Sequence, residues 1–381
     1  MKKLLLSISM LLIASTLWAE GLMRTIPFLQ NPVNDGITVT WVTRAPAFGY
    51  VEYGTDIDNL QRAVAIVDGQ IIAGNTIHRI RLKNIEPGIK YYYRAVSTEM
   101  TLYEAYKKEF GETISTEIYE FTIPDKNDDF SVAVFNDLHK QNKTTEALVD
   151  ATEDIEYNLA IFNGDCIDDP NSLDEVVSFL EHAARIVGKG SIPMVFIRGN
   201  HEIRGAYSIH LRNIIEYSTQ DSYGSFNWGD LRFVILDCGE DKPDSHEVYY
   251  GLNDFEEFRK EQVNFLEKEL ESDDFKQASS KILIHHIPIY YPQNRQKEYN
   301  PCYDLWHPIL KDAAFDIALN AHTHKYAQYE VGEASGNNFP IIVGGGPKIK
   351  NAGVVILSKQ GNTLTAKYIT AKGKIRSTTQ I

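Results

Sequence analysis

Between Thr25 and Thr122 apolar and polar positions alternate in short runs broken by Gly, Pro, Asn and Asp. In Ile37-Thr-Val-Thr-Trp-Val-Thr43 the side chains of Ile37, Val39 and Trp41 share one face, the period-two signature of a half-buried strand. Tyr50–Tyr53, Ile77–Leu82, Tyr91–Val96 and Ile118–Thr122 repeat it, and short strands at this spacing predict an all-β sandwich. Residues 101–115 read as an excursion between the last two strands. The polar, turn-rich stretch 124–129 then marks a boundary, and the period changes. Short apolar runs (Val132–Phe135, Leu159–Phe162, Met194–Ile197, Phe233–Leu236, Ile282–Ile284, Ile317–Leu319) alternate with helical stretches such as Leu173–Val187 and Phe255–Leu270. In the latter, Phe255, Phe258, Leu266 and Leu270 recur at helical spacing. This alternation predicts layered α/β structure, with central β-sheets flanked by helices. After residue 339 the chain returns to strands at Ile341–Val343, Val354–Leu357 and Leu364–Ile369.

The first residues follow another rule. Lys2 and Lys3 precede an apolar run from Leu4 to Leu17, and Ala19 is a small residue suited to cleavage. That is the layout of a secretory signal peptide. The run falls short of the ~18–20 apolar residues that span a bilayer. The expected product is exported, periplasmic or secreted, with no membrane span after leader removal. The predicted organisation is a leader over 1–19, a β-sandwich over 20–123, a linker over 124–129 and an α/β domain over 130–381. A chain of 381 residues with 43% hydrophobic and 24% charged positions has ample core for both domains.

Loss of the leader's two lysines takes the formal charge from −14 to −16. Such acidity argues against a nucleic-acid polymer as partner, because phosphate-backbone binding needs clustered Lys and Arg. A small phosphate ester stays compatible, since bound cations reverse the local sign of a site. Cys166, Cys238 and Cys302 are too sparse for a disulfide framework and are expected as buried free thiols.

The chemistry lies immediately after the apolar runs. Asn136-Asp137-Leu-His139 follows Phe135, Asn163-Gly164-Asp165 follows Phe162, and Arg198-Gly199-Asn200-His201-Glu202 follows Ile197. His285-His286-Ile-Pro288 follows Ile284, and Asn320-Ala321-His322-Thr-His324 follows Leu319. Open α/β sheets bind ligands beyond the carboxyl ends of their strands. Each piece alone has an ordinary explanation as a turn or a buried ring. The ordered set of five, all at strand ends, points to a metal site.

These blocks resemble the five signature blocks of the calcineurin-like metallophosphoesterases over about residues 130–370. Upstream, Glu86-Pro-Gly-Ile-Lys-Tyr-Tyr-Tyr-Arg94 resembles fibronectin type III domains. Pro27-Phe-Leu-Gln-Asn-Pro with Val51-Glu-Tyr-Gly54 is similar to the domain that precedes purple acid phosphatases. The resemblance implies Asp137, His139 and His324 on a first metal, Asp165 bridging, and Asn200, His286 and His322 on a second. His286 is preferred because Pro288 stands two residues on, with His285 as the other candidate. The implied cofactors are two divalent or mixed-valence ions (Zn, Mn or Fe), and the implied nucleophile is metal-bound hydroxide. His201 resembles the family's non-ligand histidine, implying contact with the phosphoryl group and the leaving oxygen. Purple acid phosphatases carry a tyrosine three residues after the bridging aspartate. Asp168 stands there, so no Fe(III)–tyrosinate centre is expected. Arg204, Tyr290 and Tyr291 are candidates for the substrate pocket, and Glu202 for orienting a neighbour.

The expected function is an exported hydrolase of phosphate mono- or diesters. A selective diesterase for nucleotides, phospholipid head groups or sugar phosphates is the narrower alternative. A metal-retaining but non-catalytic surface- or glycan-binding module is the alternative of another class.

Overall fold

The computed structural model describes residues 21–33, 36–217, 221–292, 294, 297 and 299–381. The expected leader, 1–19, lies outside the described residues. In the N-terminal region one 19-residue strand, Gly36–Gly54, serves two layers. Its first half pairs with Asn75–Lys83 and with Phe28–Gln30. After a register shift between Val42 and Ala47, its second half pairs with Lys90–Tyr103 and Gln61–Ala63. The enclosed core contains Ile37, Val39, Trp41, Ile80, Leu82, Tyr93 and Phe121. The predicted period-two residues thus point inward. Trp41 is fully buried and its Nε1–H donates to Ser97 Oγ at 2.9 Å, so the large ring is buried without an orphaned donor. This β-rich region fits the fibronectin type III-like expectation. Residues 101–115 are no excursion: Lys108–Ser115 pairs antiparallel with Lys90–Tyr103.

Beyond Asp129 two sheets stack. In the first, Phe130–Phe135, Leu159–Asn163 and Met194–Ile197 run parallel, with the antiparallel strands Gly353–Gln360, Thr363–Thr370 and Ile375–Gln380 on one side. On the other side Gln30 pairs with Met194, so hydrogen bonding continues from this sheet into the N-terminal strands. The second sheet orders Gly224–Trp228, Leu231–Ile235, Ser280–Ile284, Ile317–Asn320, Ile341–Val343 and Ala327–Tyr329.

Strand alternation assigns each apolar side chain to a layer. Val132, Val134 and Ile161 of the first sheet meet Phe233, Ile282, Ile284 and Leu319 of the second in a shared core. Their neighbours Ala133, Phe135 and Phe162 face outward onto Leu148, Val177 and Leu180 of the helices Asn142–Asp150 and Leu173–Ala183. The second sheet's outer face, with Val234, Leu283 and Ala318, packs on Leu266 and Trp306 of the helices Phe255–Glu271 and Pro301–Leu310. The result is a helix–sheet–sheet–helix sandwich. Local sequence sets its helix boundaries. Ser172 caps Leu173–Ala183 by accepting from Glu175 N–H, with Asp174 and Glu175 in the first turn complementing the dipole. Among the described residues no helix is long and apolar enough to cross a membrane. Cys166, Cys238 and Cys302 are free and buried.

Candidate metal centre

The parallel strands of both sheets end at one rim, where the chain turns sharply. Asp137, His139, Asp165, His322 and His324 all adopt positive φ, between 47° and 66°. Non-glycine residues are rare there, each costing on the order of 1 kcal/mol or more, and such strain gathers where function over-determines it. Two glycines allow the loops to touch. A Cβ on Gly164 would lie 2.3 Å from His286 Nδ1, and one on Gly199 would lie 2.3 Å from Asp165 Oδ1.

Five loops from across the chain therefore meet. Asp137, His139, Asp165 and His324 offer ligand atoms that all lie within 4.8 Å of one another, and Asp165, His286 and His322 do the same. His139 Nε2 and His324 Nε2 are 3.1 Å apart, and His324 Nε2 is 3.7 Å from Asp137 Oδ1. Across Asp165, His286 Nε2 lies 3.0 Å from Oδ2, and His322 Nδ1 lies 2.9 Å from Asn200 Oδ1. Backbone donors fix both carboxylates: His322 N–H donates to Asp137 Oδ1 and His201 N–H to Asp165 Oδ1, each at 2.9 Å.

His285 and His286 separate cleanly. His286 Nδ1 lies 2.8 Å from the Asn163 carbonyl, which makes that nitrogen the donor and leaves Nε2 to face the carboxylates. His285 turns away, with Nδ1 against the Ile287 carbonyl and its ring edge-on to Trp306. Burial holds His285 neutral, its pKa pushed down to about 4.

Electrostatics in the cradle call for positive charge. Burial pushes Asp137 up to about 8. Burial opposes charge on His286 as well, yet Asp165 and Asp137 outweigh it and pull its pKa up to about 10. A buried proton then stands where a cation would. Burial disfavours ionised Asp165 too, but His286 and the His201 N–H hold it below the usual carboxylate range. Burial lowers His139 and His324, and it takes His322 down to about 3, so these rings offer lone pairs. Asp137 Oδ2 is buried with no hydrogen-bond partner among the described residues, and the close His139 and His324 nitrogens need a proton or a cation between them. Carboxylates, imidazoles and one amide oxygen suit zinc, manganese or iron. The residues fit two cations sharing Asp165.

Beside the first group stands His201. Its Nδ1 lies 2.7 Å from Asp168 Oδ1 and 3.0 Å from Asp169 Oδ1, which leaves Nε2 facing outward. Asp168 also lies 3.2 Å from His139 Nδ1, so the position that carries tyrosine in purple acid phosphatases here braces two imidazoles. Arg204 NH1 reaches within 3.2 Å of His201 Nε2, while a two-pronged bond to buried Glu240 (both 2.8 Å) fixes the guanidinium. Glu202 is buried beneath. Its carboxylate accepts the N–H groups of Asp165, Cys166, Ile167 and Gly199 at 2.7–2.8 Å, holding two ligand-bearing loops together.

One expected pocket residue lies elsewhere. Tyr290 is 1% exposed and packs on Tyr303, His307 and Phe339, with its hydroxyl 3.2 Å from His307 Nδ1. The turn after Pro288 sends it into the outer core, away from any substrate. Tyr291 is buried and lines a small pocket beside the cradle with Asp241, Lys297 and Tyr299, and none of that pocket's lining residues is a candidate ligand. Sequence reasoning gave no role to Asp169, Glu240 or Lys297, which reach the rim only through loop folding.

The match to the Calcineurin-like phosphoesterase family covers residues 130–326, more than half of the chain. Acid phosphatase type 7 of Mus musculus is 25% identical over 272 residues, covering 67% of this chain and 56% of that protein. The Homo sapiens protein of the same name is 25% identical over 281 residues, covering 69% and 58%. The chain thus spans little more than half the length of these curated relatives. In fold it is similar to the purple acid phosphatase PPD1 of yellow lupin (Lupinus luteus) seeds, with TM-score 0.67, 19% identity, and 93% and 73% of the two chains covered. PhoD gives TM-score 0.62 at 11% identity, with 93% and 88% covered. With the same five strand-end loops inside the matched segment, the chain belongs to the calcineurin-like phosphoesterase family.

Proposed function

We propose that this chain is an exported, metal-dependent hydrolase of phosphate esters. In this reading Asp137, His139, Asp165 and His324 hold one cation, and Asp165, Asn200, His286 and His322 the other. The observation that carries it is the convergence of these side chains from five strand ends onto one buried carboxylate, Asp165. Two cations there supply Lewis acidity, polarising the phosphoryl oxygens and making water acidic enough to attack near neutral pH.

The remaining work falls to the protein's own groups. Asp168 and Asp169 hold His201 by Nδ1, so Nε2, which faces Arg204 NH1 at 3.2 Å, is the nitrogen that would carry a proton to the leaving oxygen as the ester P–O bond breaks, once Arg204 turns to the phosphoryl oxygens. Water supplies the new P–O bond, and its proton passes to solvent or back to His201. Arg204 NH1, locked by Glu240, places positive charge beside that same nitrogen, where phosphoryl oxygens gather charge. A protein that only retained metals would have no use for an imidazole braced by two carboxylates at Nδ1 and by a fixed arginine at Nε2 beside the ligand cradle, and this disfavours the binding-module reading.

The test is hydrolysis of a chromogenic phosphate ester by the purified protein, before and after chelation and with Zn, Mn or Fe restored, alongside elemental analysis. We expect turnover that chelation abolishes and metal restores. Turnover indifferent to chelation, or none at full metal loading, would overturn the reading. Export is tested by sequencing the N-terminus of protein from the periplasm and medium. A start at residue 20 is expected, and an intact Met1 in the cytoplasm opposes it.

A further inference from the structure

Lys297 stands at the rim beside His322. Its Nζ lies 3.5 Å from His322 Nε2 and 5.5 Å from the centre of the Tyr291 ring. Among the described residues no carboxylate oxygen pairs with it. Asp241 and Glu240, the acidic side chains lining the same pocket, are already engaged, Asp241 by Lys242 at 2.7 Å and by Arg204 at 3.3 Å, and Glu240 by Arg204 at 2.8 Å.

The contact with His322 depends on what the other ring nitrogen does. With Nδ1–H donating to Asn200 Oδ1, Nε2 has a lone pair and can accept from Lys297. Once Nδ1 gives its own lone pair to a cation, the neutral ring must carry its proton on Nε2. Lys297 then faces a donor rather than an acceptor. Lys297 is exposed, so once that contact is lost its ammonium is held only by water, and a loaded site leaves it available to an incoming anion. Substrate chemistry decides which anion serves. A phosphate monoester carries three non-bridging oxygens, and a diester carries two. A monoester, with its extra non-bridging oxygen and extra negative charge, therefore has more to offer a protein cation at the rim than a diester has.

We propose that Lys297 receives a non-bridging phosphoryl oxygen of the substrate and thereby directs this site toward phosphate monoesters over diesters. The inference rests on the phosphoesterase reading above and adds the class of ester. Lys297 is a specificity-determining contact at the His322 edge of the cradle, and it shares the neighbourhood of Asp241 with Arg204.

The experiment compares the metal-loaded full chain with its Lys297→Met and Lys297→Arg variants. Elemental analysis confirms metal content, calorimetry measures binding of inorganic phosphate, and kinetics uses 4-nitrophenyl phosphate and bis(4-nitrophenyl) phosphate. Losing a charge-assisted hydrogen bond should weaken phosphate binding by about 10–100-fold in Lys297→Met. The monoester kcat/KM should fall by a similar factor more than the diester value, and Lys297→Arg should recover part of both. Equal losses for the two esters, or unchanged phosphate affinity at full metal content, would overturn the proposal. So would loss of metal from Lys297→Met, which would make Lys297 a support for His322. If the parent protein hydrolyses neither ester, the phosphoesterase reading fails, while the calorimetry still reports on Lys297.

Discussion

His78 in the sandwich and His286 in the α/β half are both buried, at 7% and 1% exposure, and their surroundings drive them in opposite directions. His78 stacks on Trp41 at 4.9 Å and meets Thr43 Oγ1 at 3.1 Å. With only neutral partners, burial pushes its pKa down to about 4. Near Asp165 and Asp137, His286 is pulled up to about 10. In the sandwich core Trp41, Ser97, Thr43 and His78 make uncharged polar contacts with one another. The cradle instead packs carboxylates and lone pairs whose repulsion is relieved only by added positive charge. Depth of burial is therefore a poor guide to role, and the charge that the neighbours demand is a better one.

The largest break in this contrast should come from Asp165, shared by both ligand groups. In Asp165→Asn we expect kcat to fall by about 10³-fold or more with the circular dichroism spectrum unchanged. Ordinary turnover by the variant would sink the two-cation assignment. In the sandwich the expected cost is to stability instead. Trp41→Ala should lose about 3–5 kcal/mol in denaturant unfolding, from cavity formation and the orphaned Ser97 hydroxyl. Activity per folded molecule should hold. A matching loss of kcat would show that the two halves are not separable in this way.

Glu202 sharpens the comparison, because it is a buried carboxylate that acts on ligands through backbone. Glu202→Gln replaces one acceptor by an amide N–H facing peptide donors, disturbing the loops of Asp165 and Asn200 together. We expect metal affinity to fall by about 10–100-fold, with Glu202→Asp recovering part of it. Equal metal affinity in competition with a chelator would confine Glu202 to scaffolding.

Much of this was readable before folding. Both central sheets follow apolar runs such as Val132–Phe135 and Ile282–Ile284, since strands buried on two faces leave an unbroken hydrophobic signature. Strands exposed on a face leave little trace. Lys108–Ser115 is exposed almost throughout, and Gly224–Trp228 shows only Phe226 and Trp228 to the inner core. The candidate ligands were legible because each directly follows a strand. Asp169 and Glu240 were not, since their contacts with His201 and Arg204 depend on how loops close. Tyr290 was misplaced for the converse reason: nearness in sequence to His286 says nothing about which side of the sheet the next turn enters.

The smallest effect concerns His78 and tests the neutral half of the comparison. Its folded pKa of about 4 lies below the ordinary 6.5, so the unfolded chain takes up the proton first as pH falls. The associated stability is fully present above pH 6.5 and drains away as pH drops toward 4. Between pH 7.5 and 5.5 the loss should be roughly 1.4 kcal/mol. His78→Gln keeps a polar partner for Thr43 but cannot titrate. Its unfolding free energy should therefore decline less steeply than the parent's over that interval, by about this amount. Carboxylates and histidines of the metal cradle titrate in both proteins, so their contribution cancels in the difference. Parallel pH curves would mean that His78 is charged within the fold or reached by water. The sandwich core would then not be the uncharged counterpart of the cradle.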